Sequence, residues 1–296
     1  MGLPESVEKS LTWVADGVAV VPAPAGRFSG AGLLIADGDT VLVDAGMLPE
    51  TRAQLAPHVD VCILTSCGLP QMLGAADFRT VWAPRAEARA LLSEDHFMDT
   101  RGVAAADRAV VRKHLEHARY RPARYAKTYR PGGLLALQSS EWSFVPAAGP
   151  SPGTTLLLDP KRHILFAGPF DLADEGPWYG WPDIDLEAYE QTLERLLEID
   201  VAVWVPTRGE PRRRGIRPAL RSWREAIDRR DDKLTSLLAT PHALDELVRK
   251  AAITGRPSEA AIDRYHERIM IEKHLARLLE RQIVRARQDG RYVRED

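Results

Sequence analysis

Cysteine is nearly absent from this 296-residue chain, occurring only as Cys62 and Cys67. Five positions apart around one strand end, the two are awkward to cross-link, which excludes a disulfide-framework protein and points to a reducing compartment. No apolar run approaches the roughly 18 residues of a membrane span, so no membrane association is expected. The N-terminal "MGLPESVEKSLTWV" carries Glu5 and Glu8 and no apolar core, which reads as lacking a secretory signal and makes a cytoplasmic location the expectation. Internal repeats and low-complexity segments are also missing. The most informative gap is local. A strand-like run, Val59 to Leu64, ends in the loop "TSCGLPQ", Thr65 to Gln71, where an α/β protein usually places its chemistry, yet the loop holds neither histidine nor carboxylate.

What is present is an ordinary globular composition, 45% hydrophobic and 28% charged, with length enough for a large α/β body and an appendage. The net charge of -2 is unevenly spread: residues 208–296 hold 22 Lys+Arg against 15 Asp+Glu, and residues 1–207 hold 18 against 27. A basic tail on an acidic body fits intramolecular docking or an anionic partner.

Along the first third, "LTWVA", "VAVVPA", "AGLLIA" and "TVLVDAG" are separated by Asp-Gly and Gly turns, the pattern of a strand meander. "PETRAQLA" reads as a short helix. "VWAPRAEARALL" reads as a strand end entering a helix with Pro84 in its first turn. Residues 93–131 break the rhythm with a helix from about Ala104 to Tyr120 and a basic, tyrosine-rich connector, "ARYRPARYAKTYR", which together read as an inserted cap. Strands resume in "LLALQ", "WSFVPAAG", "TTLLLDP" and "HILFAG", then the one-sided helix "DLEAYEQTLERLLEID" and the buried strand "VAVWVP". From Arg217 onward the pattern is helical, with Thr240 as a cap before Pro241 and "RARQDGRYV" as a two-strand wing. Residues 1–215 are therefore the body and 216–296 a helical subdomain.

Four of these segments, "LLIADGDTVLVDAG", "VDVCILTSCGLPQMLGAADF", "GPSPGTTLLLDPKRHILFAGPFDL" and "VWVPTRGEP", resemble in order and spacing the punctuation of the metallo-β-lactamase superfamily. The resemblance implies a four-layer αββα sandwich with a winged-helix-like tail. Carried across residue by residue, it sets the zinc-ligand positions on Ser66, Gly68, Pro70, Gln71, Pro150, Pro169 and Arg208. Zinc needs imidazole, thiolate or carboxylate donors, so the implied cofactor is none. Asp44, Thr65, Gly74, Pro152, Gly153 and Gly168 match the scaffold of the same motifs.

The remaining candidates each carry a bland alternative. Cys67 is the most nucleophilic residue type in the loop, able to attack an ester, thioester or lactone if a base lies near, or else simply a small loop side chain. Arg208, with Arg212, Arg213 and Arg214 beside it, suits a carboxylate or phosphate, or pairs internally with Asp44 or Asp171. His114 and His117 share a helix face, and His96 lies between Asp95 and Asp99; these are the places where an unconventional metal site would form, or solvated surface. The connector's Arg119, Arg121, Arg124, Lys127 and Arg130, interleaved with Tyr120, Tyr125 and Tyr129, have the composition of a nucleic-acid loop or of a cap; the acidic body argues against nucleic acid. Trp178, Tyr179 and Trp181 stand where pocket walls are expected. The reading is a metal-independent protein that binds, or acts without metal on, a small anionic molecule in a pocket of Asp44, Ser66, Cys67, Gln71, Asp171, Trp178 and Arg208. The rivals are a metal-dependent hydrolase of ester, thioester, lactone or phosphodiester bonds with other ligands, and a non-enzymatic interaction protein. Whether the tail packs on the body or forms a homodimer surface stays open.

Overall fold

A computed structural model describes residues 3–123 and 126–295. The strands, in chain order, are β1 (Thr12–Ala15), β2 (Val18–Val21), β3 (Gly32–Asp37), β4 (Asp39–Val43), β5 (Val61–Ile63), β6 (Val81–Pro84), β7 (Lys127–Tyr129), β8 (Leu134–Ala136), β9 (Glu141–Pro146), β10 (Thr155–Asp159), β11 (Ile164–Gly168), β12 (Val203–Pro206), β13 (His242–Ala243), β14 (Val284–Ala286) and β15 (Arg291–Arg294). The α-helices are α1 (Glu5–Glu8), α2 (Pro49–Leu55), α3 (Leu69–Met72), α4 (Glu94–Thr100), α5 (Arg108–His117), α6 (Leu186–Glu198), α7 (Ile216–Leu237), α8 (Leu244–Arg249) and α9 (Ala261–Glu280).

β1 to β7 form one sheet in sequence order, antiparallel through β4 and parallel from β4 to β7. The second sheet runs β12-β11-β10-β9-β8, with only the β11–β12 pair parallel. Strand side chains alternate between faces, and the two sets sort cleanly. Leu33, Ile35, Val41, Val43 and Ile63 meet Trp142, Phe144, Leu157, Phe166 and Val205 in a core between the sheets. The alternate residues, such as Leu34, Leu42 and Cys62 or Leu165 and Trp204, pack in a second core that includes Leu55, Met72 and Leu115 as well as Leu193, Leu196 and Leu220 of the helices. The result is the αββα sandwich.

Three expectations change. The connector is not a cap: Lys127–Tyr129 adds to the sheet as β7, and Tyr129 is buried, stacks 4.5 Å from Phe144 and donates to the Leu64 carbonyl at 2.7 Å. Its Arg124 and Tyr125 lie outside the described residues. After β6, which runs through Pro84, a short 3-10 turn (Ala88–Leu91) stands in place of the expected helix, and Glu87 just before it is buried. The helix expected from Pro241 starts at Leu244, since His242 and Ala243 pair with β15 and make the wing three-stranded. The segment from α7 onward is docked rather than dangling. Arg277 meets Glu190 at 2.6 Å, Arg268 meets Asp107 at 2.7 Å, and Lys273 donates to the Pro182 and Ile184 carbonyls.

Candidate functional site

The strands β4, β5, β11 and β12 end on one rim, where their following residues knit the two sheets together. Asp44, at φ +62°, accepts from the Thr65 amide at 2.7 Å and hydroxyl at 2.8 Å, while Thr207 approaches the same carboxyl from the second sheet at 3.5 Å. The Thr207 amide donates to Gly168 at 2.7 Å, the Thr155 amide to Thr65 at 2.9 Å, and Gln71 to the Thr207 hydroxyl at 3.2 Å. Burial pushes the Asp44 carboxyl up to about 8, against the lowering pull of the Thr65 and Thr207 hydrogen bonds.

That shift makes a prediction. The folded state holds the Asp44 proton more tightly than an unfolded aspartate near 3.9 does. Its contribution to stability is therefore fully present below about pH 4 and declines as pH rises toward about 8. Asp44→Asn, which tolerates the left-handed backbone, removes this part of the slope. Thermal unfolding of both proteins at pH 5 and pH 8 checks it: wild type loses more between the two, and equal losses would exonerate Asp44.

Beside this rim lies a cavity of about 830 Å³. Ser66, Gly68, Pro70, Gln71, Pro150, Pro169 and Arg208, the seven positions set by the resemblance, all line it. Residues up to 142 positions apart thus converge as the motif order implies. They do not fit a zinc centre: hydroxyl, carboxamide, guanidinium, glycine and proline supply no imidazole, thiolate or carboxylate. Among the described residues no group of three or more His, Cys, Asp or Glu is placed to hold a metal ion. His96 is engaged with Ser93 at 2.9 Å, and its neighbours Asp95 and Asp99 pair with Arg112 and Arg108. His114 and His117 sit against Phe28, at 5.0 and 6.0 Å, and burial pulls the buried His114 down to about 4.

Two expected pocket residues are elsewhere. Asp44 lies beneath the rim rather than on the cavity. Cys67 is fully buried in the core cluster, and burial, with Glu87 adding to it, raises its thiol well above the ordinary value, which removes it as a nucleophile. Its amide instead donates to Glu87 at 2.8 Å and its carbonyl accepts from Arg101 at 2.6 Å. Glu87 also accepts from the Gly153 amide at 2.7 Å and from Ser151, while Arg101 bridges to Asp183 at 2.9 Å. Burial opposes the Arg101 charge, but Glu87 and Asp183 more than offset it and hold the guanidinium above its usual range. These side chains clamp the 65–71 loop to the 149–154 loop from inside.

Arg208 pairs with neither Asp44 nor Asp171. It is exposed on the cavity and donates to the Arg27 carbonyl at 2.7 Å. Of its neighbours only Arg212 joins it there, holding the Leu172 carbonyl at 3.1 Å; Arg213 turns away to Val14, and Arg214 is exposed outside the cavity. Arg230, which nothing in the sequence singles out, also lines the cavity. Among the described residues, none of Arg208, Arg212 and Arg230 has a carboxylate oxygen within 4.0 Å, whereas Arg27, Arg256 and Arg264 are paired with Asp263, Glu175 and Glu259. Asp171 lines the cavity too, its carboxyl raised by burial and pulled back by the Ala173 amide and by the charges of Arg208 and Arg212. Trp178 and Trp181 form part of the wall with Phe28 and His266, while Tyr179 turns into the core. His266 comes from α9, so the C-terminal segment builds one side of the site.

The chain superposes on a metallo-β-lactamase family protein of Thermus thermophilus with TM-score 0.74 and 18% identity, over 96% of this chain and 100% of that one. A β-lactamase domain protein of Burkholderia ambifaria matches with TM-score 0.69 and 20% identity, over 96% and 93% of the two chains. An archaeal metallo-β-lactamase superfamily protein of Sulfolobus tokodaii gives 0.53 and 14%, over 88% and 98%. No protein-family model matches the sequence, and no curated protein matches it. The chain has the metallo-β-lactamase fold, and its likeness to these structures is one of fold. Among the described residues no helix is long and apolar enough to cross a membrane.

Proposed function

We propose that this protein binds a small anionic molecule, or acts on one without metal, in the cavity where the resembling family holds zinc. The observation that carries the reading is that three guanidinium groups, Arg208, Arg212 and Arg230, line one cavity with no carboxylate oxygen within 4.0 Å among the described residues and with backbone carbonyls holding them. Arginines without a direct ion-pair partner and already anchored are pre-organised for a carboxylate or phosphate, and guanidinium forks match the geometry of both. A cavity of about 830 Å³ is also of a size that takes a small organic ligand.

Calorimetric titration with inorganic phosphate, on protein treated with a chelator, tests the reading. Binding is expected to persist after chelation and to weaken with added salt. Arg208→Ala should weaken it by about tenfold or more, since a hydrogen bond to a charged group contributes roughly 1.5–3 kcal/mol. Binding that vanishes with the chelator, or that ignores the loss of Arg208, would sink the proposal.

A further inference from the structure

Arg230 is held by a chain of hydrogen bonds that runs through Tyr179 and His274 to Asp231. Guanidinium can only donate, so the Tyr179 oxygen accepts from Arg230 at 2.8 Å. The Tyr179 hydroxyl is also hydrogen-bonded to His274 Nε2 at 2.6 Å, and the ring's Nδ1 faces Asp231 at 2.7 Å. His274 and Tyr179 are fully buried, and burial lifts the Tyr179 phenol to about 12, so it stays a donor. The guanidinium also donates to the Pro177 carbonyl at 2.6 Å and to the Glu175 carbonyl at 2.7 Å. Its anchors thus flank Trp178 on both sides in the chain, and charge and indole are fixed to the same short segment.

Trp178 is 42% exposed although it belongs to the cavity wall. Its ring meets His266 edge-on at 5.1 Å and Trp181 at 6.2 Å, and Gly180 leaves room for it, since a Cβ there would lie 2.7 Å from the indole. A large aromatic ring propped by its neighbours and left uncovered at a cavity is a platform for another flat group. Burial also pulls His266 down to about 3 and His114 to about 4, so these two imidazoles are uncharged near neutral pH.

Resting on the anion-binding reading above, we infer that the ligand carries a planar aromatic or heteroaromatic ring that packs against Trp178 while its phosphate or carboxylate meets Arg230. Arg230 recognises the oxyanion and Trp178 selects the ring. Tyr179, His274 and Asp231 are positioning residues that hold Arg230 beside Trp178.

Binding of phenyl phosphate against methyl phosphate, and of phenylacetate against acetate, tests this. In at least one pair the ring-bearing probe should bind about tenfold tighter or more, as stacking on an aromatic side chain typically gives. That ratio should fall toward one in Trp178→Ala and largely survive in Trp178→Phe. The pair with the tighter member identifies the oxyanion as phosphate or carboxylate. Equal affinities within both pairs, or a ratio unchanged by Trp178→Ala, overturn the ring inference and leave the anion site standing. Absence of binding by all four probes overturns the anion site itself.

Discussion

Arg101→Ala is expected to destabilise the folded protein by about 3–5 kcal/mol, because removing one member of a buried ionic cluster strands the others. Glu87 and Arg101 are each about 1% exposed at the side chain and Asp183 is 11%. With Arg101 gone, the buried Glu87 and the mostly buried Asp183 lose their ion-pair partner, and the Cys67 carbonyl loses its donor. Chemical denaturation checks the magnitude. The diagnostic comparison is Glu87→Gln/Arg101→Met against Arg101→Met. Neutralising the partner relieves the stranded charge, so the double variant should lie closer to wild type than the sum of the two single changes. Strict additivity would mean that the three groups do not form one electrostatic unit. The cluster also ties loops 65–71 and 149–154, so its loss should weaken phosphate binding through Ser66, Gly68 and Pro150 on the cavity wall.

The same cluster marks the limit of what the sequence makes legible. The strands themselves can be read because alternation and turn residues are local signals, whereas the two-sheet sandwich and the convergence of Ser66, Pro150, Pro169 and Arg208 are what the resemblance of the four motifs implies. Glu87 and Arg101 cannot, since a carboxylate in "RAEARA" and an arginine in "MDTRG" look like solvated charges until tertiary contacts bury them. Arg230 is hidden in the same way within "IDRRDD" on a long helix, and His266 within "RYHERIM". Cys67 misleads for the opposite reason: its loop is shaped like a site, but the peptide turns its thiol into the core and offers its backbone to Glu87 and Arg101. Reading the tail as an appendage likewise misses its share of the cavity. Part of the basic character of residues 208–296 goes into ion pairs with the acidic body, as Arg224 and Arg277 with Glu190, Arg256 with Glu175 and Arg268 with Asp107.

Gly46→Ala should be the most damaging single methyl that can be added near the site. A Cβ there would lie 1.8 Å from the Pro70 carbonyl oxygen and 2.8 and 2.9 Å from the Gly30 amide nitrogen and carbonyl oxygen. All three obstacles are backbone, so no side chain can rotate away. Gly30 is confined reciprocally, its own missing Cβ falling 2.3 Å from a Thr207 methyl and 2.6 Å from the Pro70 oxygen, while its amide donates to Gly46 at 3.0 Å. Three chain segments therefore meet backbone to backbone under the cavity, and a methyl must drive the Pro70 segment outward. Overpacking of a tight site costs about 1–3 kcal/mol where neighbours can yield, and the upper end or more is expected here. Gly290→Ala is the control: φ is +75° and nothing lies within 4 Å of the added carbon, so it carries only the conformational strain of roughly 1–2 kcal/mol. Gly46→Ala should exceed this control in denaturant unfolding and also lose phosphate affinity, because Pro70, Gln71 and Thr207 all line the cavity. Equal destabilisation by the two variants would show that the Gly30, Gly46 and Pro70 segments do not pack as closely as this fold requires.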